Sequence, residues 1–359
     1  MSVCPDLLLP SPPDAAAVEQ LDVVRIMGGI TNRLMRVGGV LVRIYGGEGL
    51  VDRDIETPTF EALAEWLGPP RYLGRFANGR VEEFLNGYRT LSLADIAVPE
   101  TAVLIAKELA KLHRFEIPPH LAEYFPPKAA LWDTLWDWHG QASAAGATEA
   151  IRARADNASE LPWLEHPALN LQLVGEAARA LEAKAPKDGR LAFCHNDLLP
   201  SNIMMSSATS DDEAVGAAAA AAAAAEPCVR IIDLEYGGIN FAAFDVANHL
   251  MEYCGGTDEK AVRQLGVPEY DRLPGPEQRQ HFCQAYLTAM DPNGAAPQAK
   301  EVETLLADVE IFMAVDNLFW GLWAVVQAKD EGCAEFPYLL YGKTRLERGL
   351  QDAGFLARG

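Results

Sequence analysis

Two polar motifs, each placed after a strand-like run, constrain what this chain can fold into. The first, HNDLLPSN at residues 195–202, follows the apolar residues 191–194. The second begins with Asp233 and follows the strand-like residues 229–232. Because a short apolar run bounded by polar residues predicts a buried strand, we expect both motifs at strand ends. Together they contain an imidazole, carboxylates and amides, which are the groups that a phosphoryl-transfer site needs.

The polar residues of the two motifs have distinct expected roles. Asp197 points out of the loop and is expected to act as a general base, and His195 is a second candidate catalytic residue. Asn202 would give a neutral oxygen to Mg²⁺, and Asp233 would give a carboxylate to the metal that bridges the phosphates. Strand alternation is expected to place Glu235 on the same face as Asp233.

The order H-x-D-x-x-x-x-N and then I-D-x-E-Y resembles the choline/ethanolamine kinase family. The resemblance extends through GGITNRL, VLVRIYG, VDRDIE, VEEFLNG, LAKLH, FDVANHLMEY and FWGLWAVVQ. It implies an α+β, bilobal fold of the protein-kinase-like and aminoglycoside-phosphotransferase-like type. Residues 21–86 would form an N-terminal lobe of antiparallel sheet plus helix, and residues 87–359 a larger, mostly helical C-terminal lobe. Residues 1–20 are expected to be a flexible leader, and the alanine-rich residues 206–226 an insertion between two paired strands.

The resemblance also implies that ATP binds the N-terminal lobe. A glycine pair within residues 28–32 would let main-chain N–H groups approach the phosphates. Arg43, on a predicted strand, would contact the phosphates and pair with Glu56 in a predicted helix at residues 55–67, like the Lys–Glu pair of protein kinases. A solvated edge-strand arginine is the alternative for Arg43. The hinge at residues 82–85 would bind adenine through its main chain. The expected nucleotide contacts are Gly29, Ile30, Thr31, Asn32, Arg43, Glu56, Glu83 and Leu85.

An amine pocket is implied in the C-terminal lobe. Trp320 and Trp323 share one face of a predicted long helix, where paired tryptophans taken alone indicate core rather than a ligand site. In the family, however, FWGLW and a tyrosine matching Tyr341 line the ammonium pocket. On another predicted helix, Asp245 near the N-cap would brace the catalytic loop and Glu252 would reach the substrate. The expected substrate contacts are Tyr236, Glu252, Trp320, Trp323 and Tyr341.

Charge and cysteine usage exclude several classes of protein. A net charge of −21 without a cluster of Lys and Arg argues against a nucleic-acid partner. The six cysteines form no CxxC pair and the seven histidines lack zinc-ligand spacing, so we expect a reducing, cytoplasmic location. No segment is expected to reach the roughly 18 apolar residues of a spanning helix, so stable membrane insertion is not expected. A homodimer is left open.

The resemblance therefore implies ATP-dependent phosphorylation of ethanolamine or choline, the first step of the CDP-ethanolamine route to phosphatidylethanolamine. VLVRIYG followed by VDRDIE, together with Tyr253 where choline kinases usually carry Trp, favours ethanolamine. Choline kinase activity is the first alternative. An aminoglycoside-type phosphotransferase would not need the aromatic residues. A non-catalytic, pseudokinase-like binding protein would be expected to have lost Asp197, Asn202 or Asp233.

Overall fold

The computed structural model describes residues 22–26, 32–45, 53–206, 227–258 and 260–357. By their contacts these residues fall into two compact units, which are described separately below. The first unit lies within Met1–Thr90, Phe115–Phe125 and Asn202–Tyr236, and the second within Leu91–Arg114, Pro126–Ser201 and Gly237–Gly359. Because the units follow contacts rather than chain order, the lobe boundary predicted after residue 86 stays a prediction.

The described strands build three small sheets. In chain order they are β1 Val23–Ile26, β2 Asn32–Val37, β3 Val40–Tyr45, β4 Tyr72–Phe76, β5 Gly79–Glu83, β6 Tyr88–Thr90, β7 Leu191–Cys194, β8 Ile203–Ser206, β9 Val229–Ile231 and β10 Gly238–Phe241. The five-stranded sheet of the first unit has the order β1-β2-β3-β5-β4, and neighbouring strands are antiparallel. Val37, Val40 and Val81 form its core. Strands β4 and β5, which flank Asn78, pair with each other.

A second sheet in the first unit contains the strand that follows Asn202 and the strand that precedes Asp233. Its order is β6-β8-β9, with both pairs antiparallel. Ser206 ends β8, and its N–H donates to the carbonyl of Cys228 at 3.0 Å. Residues 207–226 lie outside the described residues, but the strands before and after them pair directly. The two strands that flank the expected insertion are therefore paired, and Ser206 belongs to the first of them, while the insertion itself stays a prediction.

The helices, given in chain order, are mostly in the second unit. They are α1 Arg53–Leu67, α2 Leu93–Ile96, α3 Pro99–His113, α4 Leu131–Ser143, α5 Ala147–Ala153, α6 Leu171–Lys184, α7 Ala242–Met251, α8 Pro276–Met290, α9 Ala299–Asp330 and α10 Tyr338–Asp352. Local sequence explains several starts: Pro99 occupies the first turn of α3, and the Asn170 side chain accepts from the N–H of Leu173 at 3.2 Å to cap α6.

Helix α9 corrects one expectation from the sequence. By length and composition it could cross a membrane, because its most apolar window of 18 residues has a mean hydropathy of 1.5. That window is 89% buried inside the protein, as in the core helix of a globular domain. The expectation that no segment is long and apolar enough for a span is therefore wrong.

In the second unit, β7 leads directly into the first polar motif. It pairs antiparallel with β10, and the register places Cys194 opposite Gly238 and Leu191 opposite Phe241. Because α7 begins immediately after β10, the first turn of α7 lies beside the residues that follow β7. This arrangement places a helix whose residues are buried throughout next to the candidate catalytic loop.

Candidate active site

The candidate catalytic loop begins at His195 and is held by the first turn of α7. The Asp245 carboxylate accepts hydrogen bonds from the main-chain N–H groups of His195 and Asn196, each at 2.7 Å. Asp245 therefore braces the loop as expected, and it lies near the N-cap as predicted, in the first turn of α7 after the N-cap Phe241. Asn196 has a φ of 68°, in the left-handed region that asparagine tolerates better than most residues.

Hydrogen bonds hold the loop on both sides of Asp197. After it, the N–H of Leu198 donates to the Asn248 Oδ1 atom at 2.6 Å. Before it, the Asn196 Oδ1 atom accepts from the Asn240 Nδ2 atom at 2.8 Å. The Asp197 side chain is half-buried, and it lies on a loop whose neighbouring amide groups already take part in hydrogen bonds. Such preorganisation suits a group that must meet a reacting proton.

His195 shapes the loop from inside the protein. Its side chain is fully buried, and its Nδ1 atom accepts from the N–H of Asp197 at 3.2 Å. This contact links the two predicted catalytic residues directly. It gives His195 a supporting part, because a fully buried ring orients the loop rather than presenting an acid or base to solvent.

His113 is a further residue beside the loop, to which the sequence analysis gave no role. Its Nε2 atom lies 3.0 Å from Asp245 and its Nδ1 atom 2.8 Å from the Tyr286 hydroxyl. Burial alone would raise the pKa of Asp245, but its hydrogen bonds and electrostatic interactions with His113 and His195 outweigh that effect and lower the pKa. Asp245 therefore stays an anion that accepts from the loop.

The same place brings three potential metal ligands together. Atoms of His113, Cys194 and Asp245 lie within 4.8 Å of one another, although the three residues are far apart in sequence. Both Asp245 oxygens already accept hydrogen bonds, and burial raises the pKa of the Cys194 thiol well above its usual value. We therefore assign this cluster to the loop brace and not to a metal.

In the first unit, buried charges line one face of the five-stranded sheet. Arg43 binds Glu82 at 3.0 Å through Nε and Asp233 at 2.9 Å through Nη1. Burial would lower the pKa of Arg43, but the carboxylates of Asp233 and Glu82 outweigh it and raise that pKa. Since Arg43 lies on a strand between two neighbours and is 4% exposed, the solvated edge-strand alternative is wrong.

Glu56 is in the same cluster, but its partner differs from the expected one. Its Oε1 atom accepts from the Nη1 atom of Arg80 at 2.7 Å, and Arg80 also binds Glu82 through Nε at 2.6 Å. The cluster therefore runs from Arg43 through Glu82 and Arg80 to Glu56. The predicted direct pair of Arg43 with Glu56 is wrong, because Arg80 lies across from Arg43 and takes that carboxylate.

The two candidate metal ligands, Asn202 and Asp233, are close in the same unit. The carbonyl of Asn202 accepts from the N–H of Ile232 at 2.9 Å, which places Asp233 one residue beyond this contact. The Asp233 side chain is 26% exposed, and its Oδ1 atom binds Arg43. A carboxylate and an amide oxygen are hard ligands of the kind that Mg²⁺ prefers, so this donor set fits the ion.

The strand does not continue through the second motif. β9 ends at Ile231, Asp233 has a φ of 64°, and Glu235 lies in the short 3-10 turn Leu234–Tyr236. Strand alternation therefore does not apply to Glu235 and Asp233, so the reason for expecting them on one face is wrong, although both carboxylates act electrostatically on Arg43. The predicted substrate residue Tyr236 ends this turn and is half-buried.

Part of the predicted hinge already makes main-chain hydrogen bonds at the end of β5. The N–H of Glu83 donates to Arg71 at 2.9 Å and the N–H of Phe84 to Gly39 at 3.0 Å. Leu85, which follows, is buried. The remaining predicted nucleotide contacts cannot be placed: Gly29, Ile30, Thr31 and the side chain of Asn32 lie outside the described residues.

Ring contacts connect the predicted aromatic residues of the second unit. The ring centroids of Trp320 and Trp323 are 5.4 Å apart, with the rings nearly perpendicular. Trp323 then contacts Tyr338, which contacts Phe336, and Phe336 lies 5.4 Å from Tyr341. The structure therefore joins all three predicted aromatic residues in one continuous series.

Glu252 lies in a buried ionic cluster with Arg345 and Asp316, and Arg345 also contacts Tyr341. The Glu252 Oε1 atom accepts from the Nη2 atom of Arg345, whose Nη1 atom is 3.2 Å from Asp316. Burial raises the pKa of Glu252 and raises that of Asp316 to about 7, against the opposing charge of Arg345. The sequence analysis missed Arg345 and Asp316. A charged residue within the apolar stretch of α9 was the available signal for Asp316.

Comparison with known proteins gives consistent likenesses. The sequence model described as choline/ethanolamine kinase matches residues 23–349. A probable choline kinase 1 from Arabidopsis thaliana is 31% identical over 346 residues, covering 92% of this chain and 86% of the relative. Ethanolamine kinase 1 from Mus musculus is 32% identical over 332 residues, covering 89% and 80%. A solved structure of a Plasmodium vivax ethanolamine kinase has a TM-score of 0.72 and 25% identity, covering 96% of this chain and 84% of that one.

These comparisons support the fold class, but they match relatives named for either substrate. The solved structure confirms the predicted fold class, which combines an antiparallel sheet with a mostly helical C-terminal part. Relatives of both substrate names match at nearly the same identity. Identity therefore does not separate the two amines.

Proposed function

Because the chain belongs to the choline/ethanolamine kinase family, as its motifs predicted, we propose that it transfers the γ-phosphoryl group of ATP to the hydroxyl of ethanolamine. The observation that carries this proposal is the loop around Asp197. Side chains of α7 hold the main chain before and after Asp197, while its carboxylate is only half-buried. A carboxylate fixed in this way suits a general base for a substrate hydroxyl.

The reaction asks for positioning and charge neutralisation more than for covalent chemistry. We assign to Asp197 the role of general base, which accepts the proton of the attacking hydroxyl. Asn202 and Asp233 would hold Mg²⁺, which neutralises developing phosphate charge when bound. Arg43 would contact the phosphates, and its pairing with Asp233 and Glu82 keeps its guanidinium charged and oriented. Glu56 would support it through Arg80.

For the adenine we assign the hinge around Glu83 and Leu85. The N–H groups of Glu83 and Phe84 already donate within the sheet, so the N–H of Leu85 is the hinge donor we assign to the base. The residues of the predicted glycine loop, Gly29, Ile30, Thr31 and Asn32, are assigned to the phosphates by the family resemblance alone.

For the amine we assign Glu252, Trp320, Trp323, Tyr341 and Tyr236. A primary ammonium needs hydrogen-bond acceptors, and the buried Oε2 atom of Glu252 accepts none from the described residues. This oxygen favours ethanolamine as the main substrate. Choline is the second candidate, because the paired rings of Trp320 and Trp323 also suit cation–π contact with a trimethylammonium group.

Broader assignments follow from this activity. The product would enter the CDP-ethanolamine route to phosphatidylethanolamine, and we place the enzyme in the cytoplasm, where ATP and a reducing environment are available. A homodimer remains a prediction. The presence of Asp197, Asn202 and Asp233 argues against a non-catalytic, pseudokinase-like role.

One assay tests the proposal. Purified protein is incubated with ATP and Mg²⁺ and with ethanolamine, choline or an aminoglycoside, and ADP and the phosphorylated product are measured. We expect turnover with ethanolamine, less with choline and none with the aminoglycoside. Turnover with the aminoglycoside alone, or with none of the three, would refute the proposed function.

A further inference from the structure

We propose that Arg345 is a positioning residue that holds Glu252 in place and couples it to the main chain beside Asp197. The inference rests on the proposed function, since that function makes Glu252 the residue that binds the substrate ammonium. It concerns a residue to which the proposed function gives no contact with substrate or nucleotide. All of its contacts lie within the second unit.

Arg345 lies on α10 and is 0% exposed. Its guanidinium reaches three acceptors: Nε donates to the Tyr341 hydroxyl at 3.0 Å, Nη1 lies 3.2 Å from Asp316, and Nη2 binds Glu252. Two of these acceptors, Glu252 and Tyr341, belong to the residues assigned to the amine. The planar fork of an arginine fixes the directions of its hydrogen bonds, whereas a lysine ammonium cannot reach three separated acceptors in this way.

The contacts of Asp316 extend the cluster to the catalytic loop. While one of its oxygens faces Arg345, its Oδ1 atom accepts from the Nδ2 atom of Asn248 at 2.9 Å. Asn248 in turn accepts from the N–H of Leu198 at 2.6 Å. Since Leu198 directly follows Asp197, a continuous series of buried hydrogen bonds leads from Glu252 to the loop that carries the proposed base.

The cluster contains more carboxylates than guanidinium groups, so it can bind a further cation. Two carboxylates, Glu252 and Asp316, share the single guanidinium of Arg345. The Oε2 atom of Glu252 is buried and accepts no hydrogen bond from the described residues. A buried oxygen without a donor is costly, so a substrate ammonium that binds Oε2 would satisfy it. Arg345 would then determine which Glu252 oxygen faces the substrate.

The test compares Arg345 with Arg348, an arginine on the same helix. Arg348 pairs with Asp352 at 2.7 Å, and its side chain is 27% exposed. We would prepare Arg345→Lys, Arg345→Met, Arg348→Lys and Arg348→Met in the full chain. Thermal unfolding, kcat, KM for ethanolamine and KM for ATP would be measured for each, together with calorimetric binding of ethanolamine.

For folded Arg345→Met we expect a KM for ethanolamine raised about 10-fold or more and a kcat reduced by up to about 100-fold, because misplacement by about 1 Å can cost that much. The KM for ATP should stay within about 2-fold of the wild type. Arg345→Lys should recover part of the kcat and little of the ethanolamine KM. Both Arg348 variants should behave like the wild type.

The outcomes separate the inference from the function on which it rests. Wild-type turnover with ethanolamine, combined with Arg345 variants that match the Arg348 variants, would overturn the inference alone. A wild type that phosphorylates no amino alcohol would overturn the proposed function and the inference with it. If the Arg345 variants do not fold, the isosteric Asp316→Asn decides: a raised ethanolamine KM with an unchanged ATP KM supports the link, and wild-type kinetics overturn it.

Discussion

Arg43 and Arg80 lie directly opposite each other on β3 and β5, with both guanidinium groups buried. Like charges at such positions repel, and the fold accommodates them by placing Glu82 against both, at 3.0 and 2.6 Å. Burial would raise the pKa of Glu82, but the two arginines outweigh it and lower that pKa. Glu82 therefore stays ionised and holds the cluster together.

Glu82→Gln should strongly destabilise the protein, because it leaves two buried guanidinium groups short of a counter-charge. Loss of one partner of a buried ion pair typically costs about 3 to 5 kcal/mol. Urea unfolding measures the effect. Glu165→Gln is the matched control, since Glu165 pairs with Arg152 at the surface and should change stability by no more than about 1 kcal/mol. Equal effects of the two variants would contradict the role given to Glu82.

Asp197→Ala should abolish nearly all turnover and leave the fold intact. Loss of a general base typically costs about 100- to 10,000-fold in rate. The neighbouring amides stay bound to Asp245 and Asn248, so ATP binding and thermal unfolding should change little. Steady-state kinetics decide, with the exposed Asp133→Ala as the control. A kcat near that of the wild type would eliminate Asp197 as the base.

Shortening the alanine-rich insertion should leave activity unchanged. Ser206 and Cys228 already exchange two hydrogen bonds of 3.0 Å, so a short turn can join them. Replacing residues 207–225 with Asn-Gly, a favoured hairpin turn, should raise stability by about 0.6 kcal/mol per halving of loop length. A Gly/Ser linker of the original length is the control. A folded, shortened variant that no longer phosphorylates ethanolamine would show that the insertion has a function.

His249 should make the protein sensitive to acid. Its ring is fully buried against Phe282, and burial lowers its pKa to about 4. The unfolded chain takes up this proton near pH 6.5, whereas the folded chain resists it until about pH 4. Stability is therefore fully present above pH 6.5 and falls as the pH decreases from 6.5 towards 4.

In His249→Gln, the free energy of unfolding should fall less steeply over this range, by up to about 1.4 kcal/mol per pH unit. Chemical unfolding at several pH values measures the slope, which is informative even if the substitution changes stability at every pH. The exposed His120→Gln should keep the wild-type slope. Identical slopes for all three proteins would exclude His249 as the acid-sensitive group.

The sequence predicted those parts of the site that depend on local pattern. Strand ends, the loop after β7 and the position of Asp245 beside that loop follow from short motifs in a known order. The fold class and family followed from the same motifs. Pairings that depend on which side chain crosses a sheet were not predictable: Arg80 and not Arg43 binds Glu56, because strand register decides it.

Two further residues show why the remaining contacts were missed. His113 and Arg345 are distant in sequence from the groups they bind, and no spacing rule connects His113 with Asp245 or Arg345 with Glu252. Only the packing of helices brings each pair together. Buried charges in apolar helices were a signal that something must pair with them, but not which residue does.

The amine preference depends on two different interactions around the same cation. A trimethylammonium group has no N–H and depends on cation–π contacts, worth about 0.5 to 2 kcal/mol for a well-placed ring. A primary ammonium also donates hydrogen bonds, and the buried Glu252 Oε2 atom is a candidate acceptor. Trp320→Ala should therefore weaken choline more, and Glu252→Gln should weaken ethanolamine more.

We expect the wild type to have a higher kcat/KM for ethanolamine than for choline, since the open oxygen of Glu252 serves only a donor. Competition between the two amines at saturating ATP measures the ratio in the wild type, Trp320→Ala and Glu252→Gln. The exposed Trp66→Ala and Glu165→Gln are matched controls that should keep the wild-type ratio. A ratio at or below one would reverse the substrate assignment, and a ratio unchanged by Glu252→Gln would remove Glu252 as the reason for it.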